Sequence, residues 1–89
     1  LLAGLRAYDE ARYSDAEAAL VDSLKLGPLN PRDRAAANKT LAFIYCTSDR
    51  RAQCEAAFRA ARQADPAFVL TRAEAGHPLW GPVYEASRR

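Results

Sequence analysis

The chain lacks methionine altogether and has one tryptophan, one histidine, two cysteines and four glycines in 89 residues. Each scarcity removes a class of function. A zinc site takes three or four ligands, usually in tight Cys-x2-Cys pairs. Here Cys46 and Cys54 stand eight positions apart, and the only other soft ligand, His77, lies in a Gly-His-Pro turn. No metal is expected. A thioredoxin-type redox pair has Cys-x-x-Cys at a helix start, which this spacing does not supply. There is no glycine-rich loop to cradle a phosphate and no paired-acid signature. His77 has no nucleophile beside it, and Asp9, Glu10, Asp15 and Glu17 gather around a helix turn where capping accounts for them. Neither enzyme activity nor a cofactor is expected.

Charge of one sign is also lacking. Thirteen Lys and Arg face eleven Asp and Glu, a net +2, too weak a field to mark nucleic acid or an anionic membrane as partner. No apolar run approaches the roughly 18 residues of a spanning helix, so no direct membrane insertion is expected. No signal peptide is visible. With no methionine at position 1, and an opening "LLAGLRAYDEARY" already in helical register, we expect an excised or processed piece, with room for a lost targeting segment. Its length suits one small domain, near the size where a single core is only marginally adequate.

What is present is helical. Alanine and arginine dominate, and both favour helix. The breaks come in "KLGPLNPRD" and "QADPAF". Gly27 suits a helix C-terminus and Pro28 cannot continue the helix before it. Asn30 reads as an N-cap, with Pro31 at the first helical position and Asp33 near the positive end of the dipole. Softer breaks follow at "YSDAE", where Ser14 and Glu17 suggest a capping box, and at "CTSDRR", where Ser48 or Asp49 suggests a cap. The reading is four helices, about 1–12, 15–26, 31–47 and 50–64, with apolar residues at helical spacing. No alternating Val, Ile or Thr run suggests a strand. Short connections make the paired helices antiparallel hairpins.

A shift of 38 residues lays Pro28 on Pro66, Leu20 on Phe58, Ala16 on Cys54 and Gly4 on Ala42. Small residues at Gly4, Ala42, Ala16 and Cys54 let two backbones approach, and Leu20 or Phe58 fills the next layer. On these residues the chain resembles the tetratricopeptide repeat. The second copy, "LAFIYCTSDRRAQCEAAFRAARQADP", has Leu41, Ala42, Tyr45, Cys54, Phe58, Ala61 and Pro66 in place. The first keeps Gly4, Tyr13, Ala16, Leu20 and Pro28, but has Ala7 where an aromatic is usual and Ser23 where alanine is. "PLNP" stretches the usual period of about 34 residues. The resemblance implies an all-α domain over 1–89, with hairpins at 1–28 and 31–66 and a capping segment at 67–89.

Solenoids usually need about three repeats, or a cap, to close their ends. The tail "FVLTRAEAGHPLWGPVYEASRR" is the expected cap. Thr71 and Glu74 form a capping box, and Pro82 can start a last helix carrying Val83 and Tyr84. Leu79, Trp80, Val83 and Tyr84 are expected to cover the fourth helix. Trp80 is also a candidate partner anchor. The tail is similar to segments that follow such repeats in bacterial envelope and secretion-associated proteins.

Two readings of the cysteines stay open. By the hairpin geometry Cys54 packs near Ala42, and Cys46 lies one turn on from Ala42 on the same face. A disulfide requires a Cα separation of roughly 4.4–6.8 Å, would add about 2–3 kcal/mol, and would imply an oxidising, periplasmic or other extracytoplasmic compartment. Two reduced, buried thiols in the cytoplasm are the alternative. Arg50, Arg51, Arg59 and Arg62, interleaved with Glu55, read as a solvated face with Arg51–Glu55 and Glu55–Arg59 pairs.

The inner groove implied by the resemblance is lined by Leu5 and Tyr8 in one copy and by Lys39 and Phe43 in the other. Lys39 and Phe43 set a donor beside an apolar pad, which suits an extended or helical peptide. The groove could equally hold the chain's own tail, or residues upstream of Leu1. The lysine/asparagine carboxylate clamp of chaperone-binding members is not reproduced. The resemblance thus implies a protein–protein interaction module, an adaptor or assembly scaffold in a bacterial envelope or secretion system. Its rivals are a thiol-disulfide or metal-dependent enzyme using Cys46 and Cys54, and an oligomerisation domain pairing with its own copies.

Overall fold

Alanine-rich segments punctuated by proline and glycine fold into six helices and no strand, an all-α chain. In the computed structural model, which describes residues 1–89, these are α1 (Leu2–Asp9), α2 (Tyr13–Leu26), α3 (Pro31–Thr47), α4 (Arg51–Ala64), α5 (Arg72–Ala75) and α6 (Gly81–Ser87). Two of the expected caps form. The Asn30 side-chain oxygen accepts from the Asp33 amide at 2.8 Å, with Pro31 opening α3. Thr71 and Glu74 close a reciprocal box at the start of α5. Each satisfies amides that the first helical turn leaves without a partner.

Two other expected caps do not form. Helix α2 starts a residue before Ser14, its N-cap Arg12 makes no side-chain capping bond, and the Glu17 carboxylate is drawn to Arg50 instead. Helix α4 begins after Arg50, again without a side-chain cap. Ser48 serves the helix before it, donating to the Ile44 carbonyl at 2.7 Å. The bend itself explains both. Ala11 and Asp49 take left-handed backbone, φ 61° and 62°, which reverses the chain within three residues. For the same reason α1 stops at Asp9 rather than running on to residue 12. The following amide then reaches back: Arg12 N–H to the Ala7 carbonyl and Arg50 N–H to the Tyr45 carbonyl, both 2.8 Å. The equivalent residues are 38 apart, so the period read from side chains is also written in the backbone.

Left-handed backbone costs an alanine about 1–2 kcal/mol, whereas glycine adopts it freely. Replacing Ala11 with glycine should therefore raise stability by about 0.5–1 kcal/mol after the added entropy of the unfolded chain is counted. A urea midpoint that stays put or falls would contradict this.

Helix α1 lies on α2, α3 on α4, and α2 and α1 both meet α3. A Cβ placed on Gly4 would sit 2.7 Å from Leu20 Cγ, so glycine there is a requirement of close approach. Ala16 and Leu20 expose nothing, nor do Ala42, Cys54 and Phe58 in the second hairpin. The tail closes the open side of α4. Leu70, Val83 and Tyr84 are buried, the Tyr84 ring meets Phe58 edge-on at 5.4 Å, and the Tyr84 hydroxyl accepts from the Leu70 amide. A side chain at Gly81 would collide with the Ala75 carbonyl, which lets α6 start directly against α5. The expected four-residue cover of α4 is thus half realised. Val83 and Tyr84 are buried in α6, which packs on α4. Leu79 is 54% exposed, and Trp80 stacks on α3.

Candidate protein-binding face

The face shared by α1 and α3 collects the candidate binding residues. Leu5 and Tyr8 of α1 are half-buried against the core, and Phe43 of α3 belongs to it. The Tyr8 ring lies 6.5 Å from Phe43 and meets Tyr13 edge-on at 5.6 Å. Burial, joined by Tyr13, Asp9 and Glu74 nearby, pushes the Tyr8 hydroxyl above its ordinary value. It stays a neutral donor through the physiological range.

Of the occupants the sequence leaves open, the chain's own tail is the one seated here. Trp80 stacks on Phe43 with centroids 3.9 Å apart and planes at 20°. His77 covers the other indole face at 3.5 Å and 6°. The Trp80 ring N–H donates to the Glu74 carbonyl at 2.7 Å, and the His77 Nδ1 accepts from the Leu79 amide at 3.1 Å. Lys39 Nζ meets the Glu74 carboxylate at 3.0 Å while standing 5.8 Å from the Phe43 centroid. Burial raises the Glu74 carboxyl, but the Thr71 amide and Lys39 outweigh it and hold the group below its ordinary value. Lys39 and Phe43 are therefore engaged within the chain. Trp80 has both ring faces covered and is not a free anchor; tertiary stacking, invisible in a linear motif, accounts for this.

Beside the tail the face stays open as a cleft of about 390 Å³, bordered by Tyr8, Tyr13, His77, Trp80, Glu17 and Arg50. The last two join the hairpins. Arg50 donates to both Glu17 carboxylate oxygens, at 2.9 and 2.7 Å. Its Nε donates to the Ser48 hydroxyl at 3.0 Å, and its guanidinium lies 4.8 Å from the Tyr45 ring centroid. A two-pronged pair of this kind fixes orientation as well as charge. Linear spacing does not show it: Arg50 reads there as part of a solvated face, and its partner is 33 residues away. On that face Arg59–Glu55 forms at 3.5 Å. Arg51 makes no such pair, and Arg62 instead donates to the Ser87 carbonyl at 2.8 Å, pinning α6.

The hydrogen bonds from Arg50 hold the Glu17 carboxyl below its ordinary 4.5, against the smaller effect of burial. A carboxyl depressed on folding adds stability above its unfolded value, and this is lost as pH falls through the folded one. Stability should therefore fall below about pH 4.5, and Glu17→Gln should flatten that fall. Parallel acid titrations followed by circular dichroism check this; identical pH profiles would remove the role assigned to the pair.

Cys46 and Cys54 are joined in a disulfide across the α3–α4 bend, with Cα atoms 5.2 Å apart. Cys54 is fully buried. No three His, Cys, Asp or Glu side chains converge as a metal site would require, and no helix is long and apolar enough to cross a membrane. Compared with protein-family models, curated proteins and solved structures, the chain has no significant match.

Proposed function

We propose that this domain is a protein–protein interaction module of tetratricopeptide-like architecture, an adaptor or assembly scaffold whose α1–α3 face receives a short peptide segment. One observation carries the reading: that face already holds a stretch of its own tail, through a Lys39–carboxylate contact and an aromatic stack on Phe43. A cation beside a flat apolar pad is a peptide-reading arrangement. The 38-residue register of the two bends supports the repeat architecture. The disulfide fits an oxidising compartment, the bacterial envelope or its secretion machinery. An oxidoreductase using Cys46 and Cys54 is disfavoured, because the pair lacks the Cys-x-x-Cys spacing at a helix start that lowers a thiol's pKa, and the more exposed cysteine, Cys46, lies at the C-terminal end of α3.

Peptides selected from a random library should shift the amide resonances of Tyr8, Tyr13, Thr47 and His77 around the cleft. Selection that yields no binder, or binders that map to another surface, would remove the reading. Self-association is the second reading, favoured by Leu2 and Leu26, which are 70% and 83% exposed on the first hairpin. Sedimentation showing a monomer at high concentration would exclude it.

A further inference from the structure

Residues 71–80 are lightly covered. Six of the ten are exposed, and only Glu74, Ala75, His77 and Trp80 are half-buried. Helix α5 is a single turn of four residues. The Lys39–Glu74 pair keeps 30% and 26% of its side-chain surfaces in solvent, and a partly exposed pair contributes little. Both flanks are anchored, by Leu70 on one side and by Val83 and Tyr84 on the other. The segment is therefore a loop between two fixed points, of the kind that opens locally while the rest stays folded.

What the segment shows is the chemistry that the face accepts. Lys39 takes a carboxylate, Phe43 takes an indole, and the two groups come from residues six apart, Glu74 and Trp80. The cleft beside Trp80 leaves room for the chain to continue past that contact. Resting on the interaction-module reading above, we infer that the partner is a compact, turned segment with an acidic side chain followed about six residues later by an aromatic one. The two are brought together as Glu74 and Trp80 are, by the turn that the Trp80 ring N–H closes on the Glu74 carbonyl, and the segment takes the place of residues 74–80 on Lys39 and Phe43. The tail is then a resident occupant that sets a threshold. Being tethered, it competes at high effective concentration, and a partner's apparent affinity is reduced by the fraction of molecules with the face open.

The test uses the full chain and a fluorescent peptide of residues 70–82, LTRAEAGHPLWGP. Weakening the resident tail with Glu74→Gln and Trp80→Ala should tighten peptide binding by roughly tenfold or more, because the open fraction rises and the receiving face is unchanged. Adding Lys39→Glu should abolish that gain, and a peptide with lysine in place of its glutamate should restore it. If Trp80→Ala loses its cooperative melt, Glu74→Gln alone is measured against the same criteria. Binding no tighter than to the parent chain, or indifference to Lys39→Glu, overturns the inference. If selected peptides of other chemistry still perturb Tyr8 and Tyr13, the interaction module stands and only the partner class falls. If no peptide perturbs the face, both fall. Concentration-dependent dimers of the parent chain that vanish in Trp80→Ala would instead assign the face to the tail of a second copy, and would also overturn the inference.

Discussion

Phe58→Ala should cost about 3–5 kcal/mol, the usual range for truncating a fully buried phenylalanine. The ring exposes no surface. It meets Phe43 at 6.2 Å and Tyr84 at 5.4 Å, both edge-on. It is thus the joint between the α1–α3 face and the cap, and its removal leaves a cavity touching α3, α4 and α6 at once. Domains of this length have total stabilities on the order of 4–13 kcal/mol, so the variant should lie close to unfolding at 37 °C. Urea melts followed by circular dichroism measure the loss. Phe58→Leu, which keeps part of the volume, should lose a smaller share and remain measurable if the alanine variant does not fold. A loss below about 1 kcal/mol for alanine would mean that α6 does not pack on this ring.

Opening the Cys46–Cys54 bond should cost about 2–3 kcal/mol, the chain-entropy value for so short a loop. For a chain of this length that lowers the melting temperature by roughly 10–20 °C. The double variant Cys46→Ala, Cys54→Ala isolates the bond. Alanine already fills the position equivalent to Cys54, at Ala16, where it is fully buried, so the substitution brings no packing problem of its own. Reduction of the parent chain and the double variant should give the same melting temperature. A shift under about 3 °C in either would show that the α3–α4 hairpin does not need the link. The consequence extends to the candidate face. The disulfide spans the bend that carries Ser48 and Arg50, and Arg50 is the residue that holds the first hairpin through Glu17. Reduction should therefore also loosen the cleft wall.

Much of the fold was legible because its signals are local. Asn30 and Pro31 announce the start of α3 through the geometry of one helical turn, and Thr71 with Glu74 announces α5 in the same way. The spacing of Gly4, Ala16 and Leu20 is legible because a helix surface repeats regularly, and a small residue at a crossing has a steric meaning. The failures are equally physical. Ser14, Ser48 and Asp49 carry cap chemistry, yet the left-handed bends at Ala11 and Asp49 put them out of register for it. Nothing in an alanine warns of a positive φ.

The candidate face was the least legible part. Leu5, Tyr8, Lys39 and Phe43 could be placed on it from helical spacing and the repeat resemblance, since both concern residues within one hairpin. That the tail occupies it, that Trp80 is sandwiched between Phe43 and His77, and that Arg50 reaches Glu17 all depend on segments 33 to 37 residues apart along the chain. Local pattern is read one turn at a time and carries no distance between such segments. The helices, the breaks and the position of the cysteines followed from nearest-neighbour sterics along the chain. Which surface is covered, which cation is paired and which cleft stays open followed from how those helices pack, because only packing brings distant side chains within reach of one another.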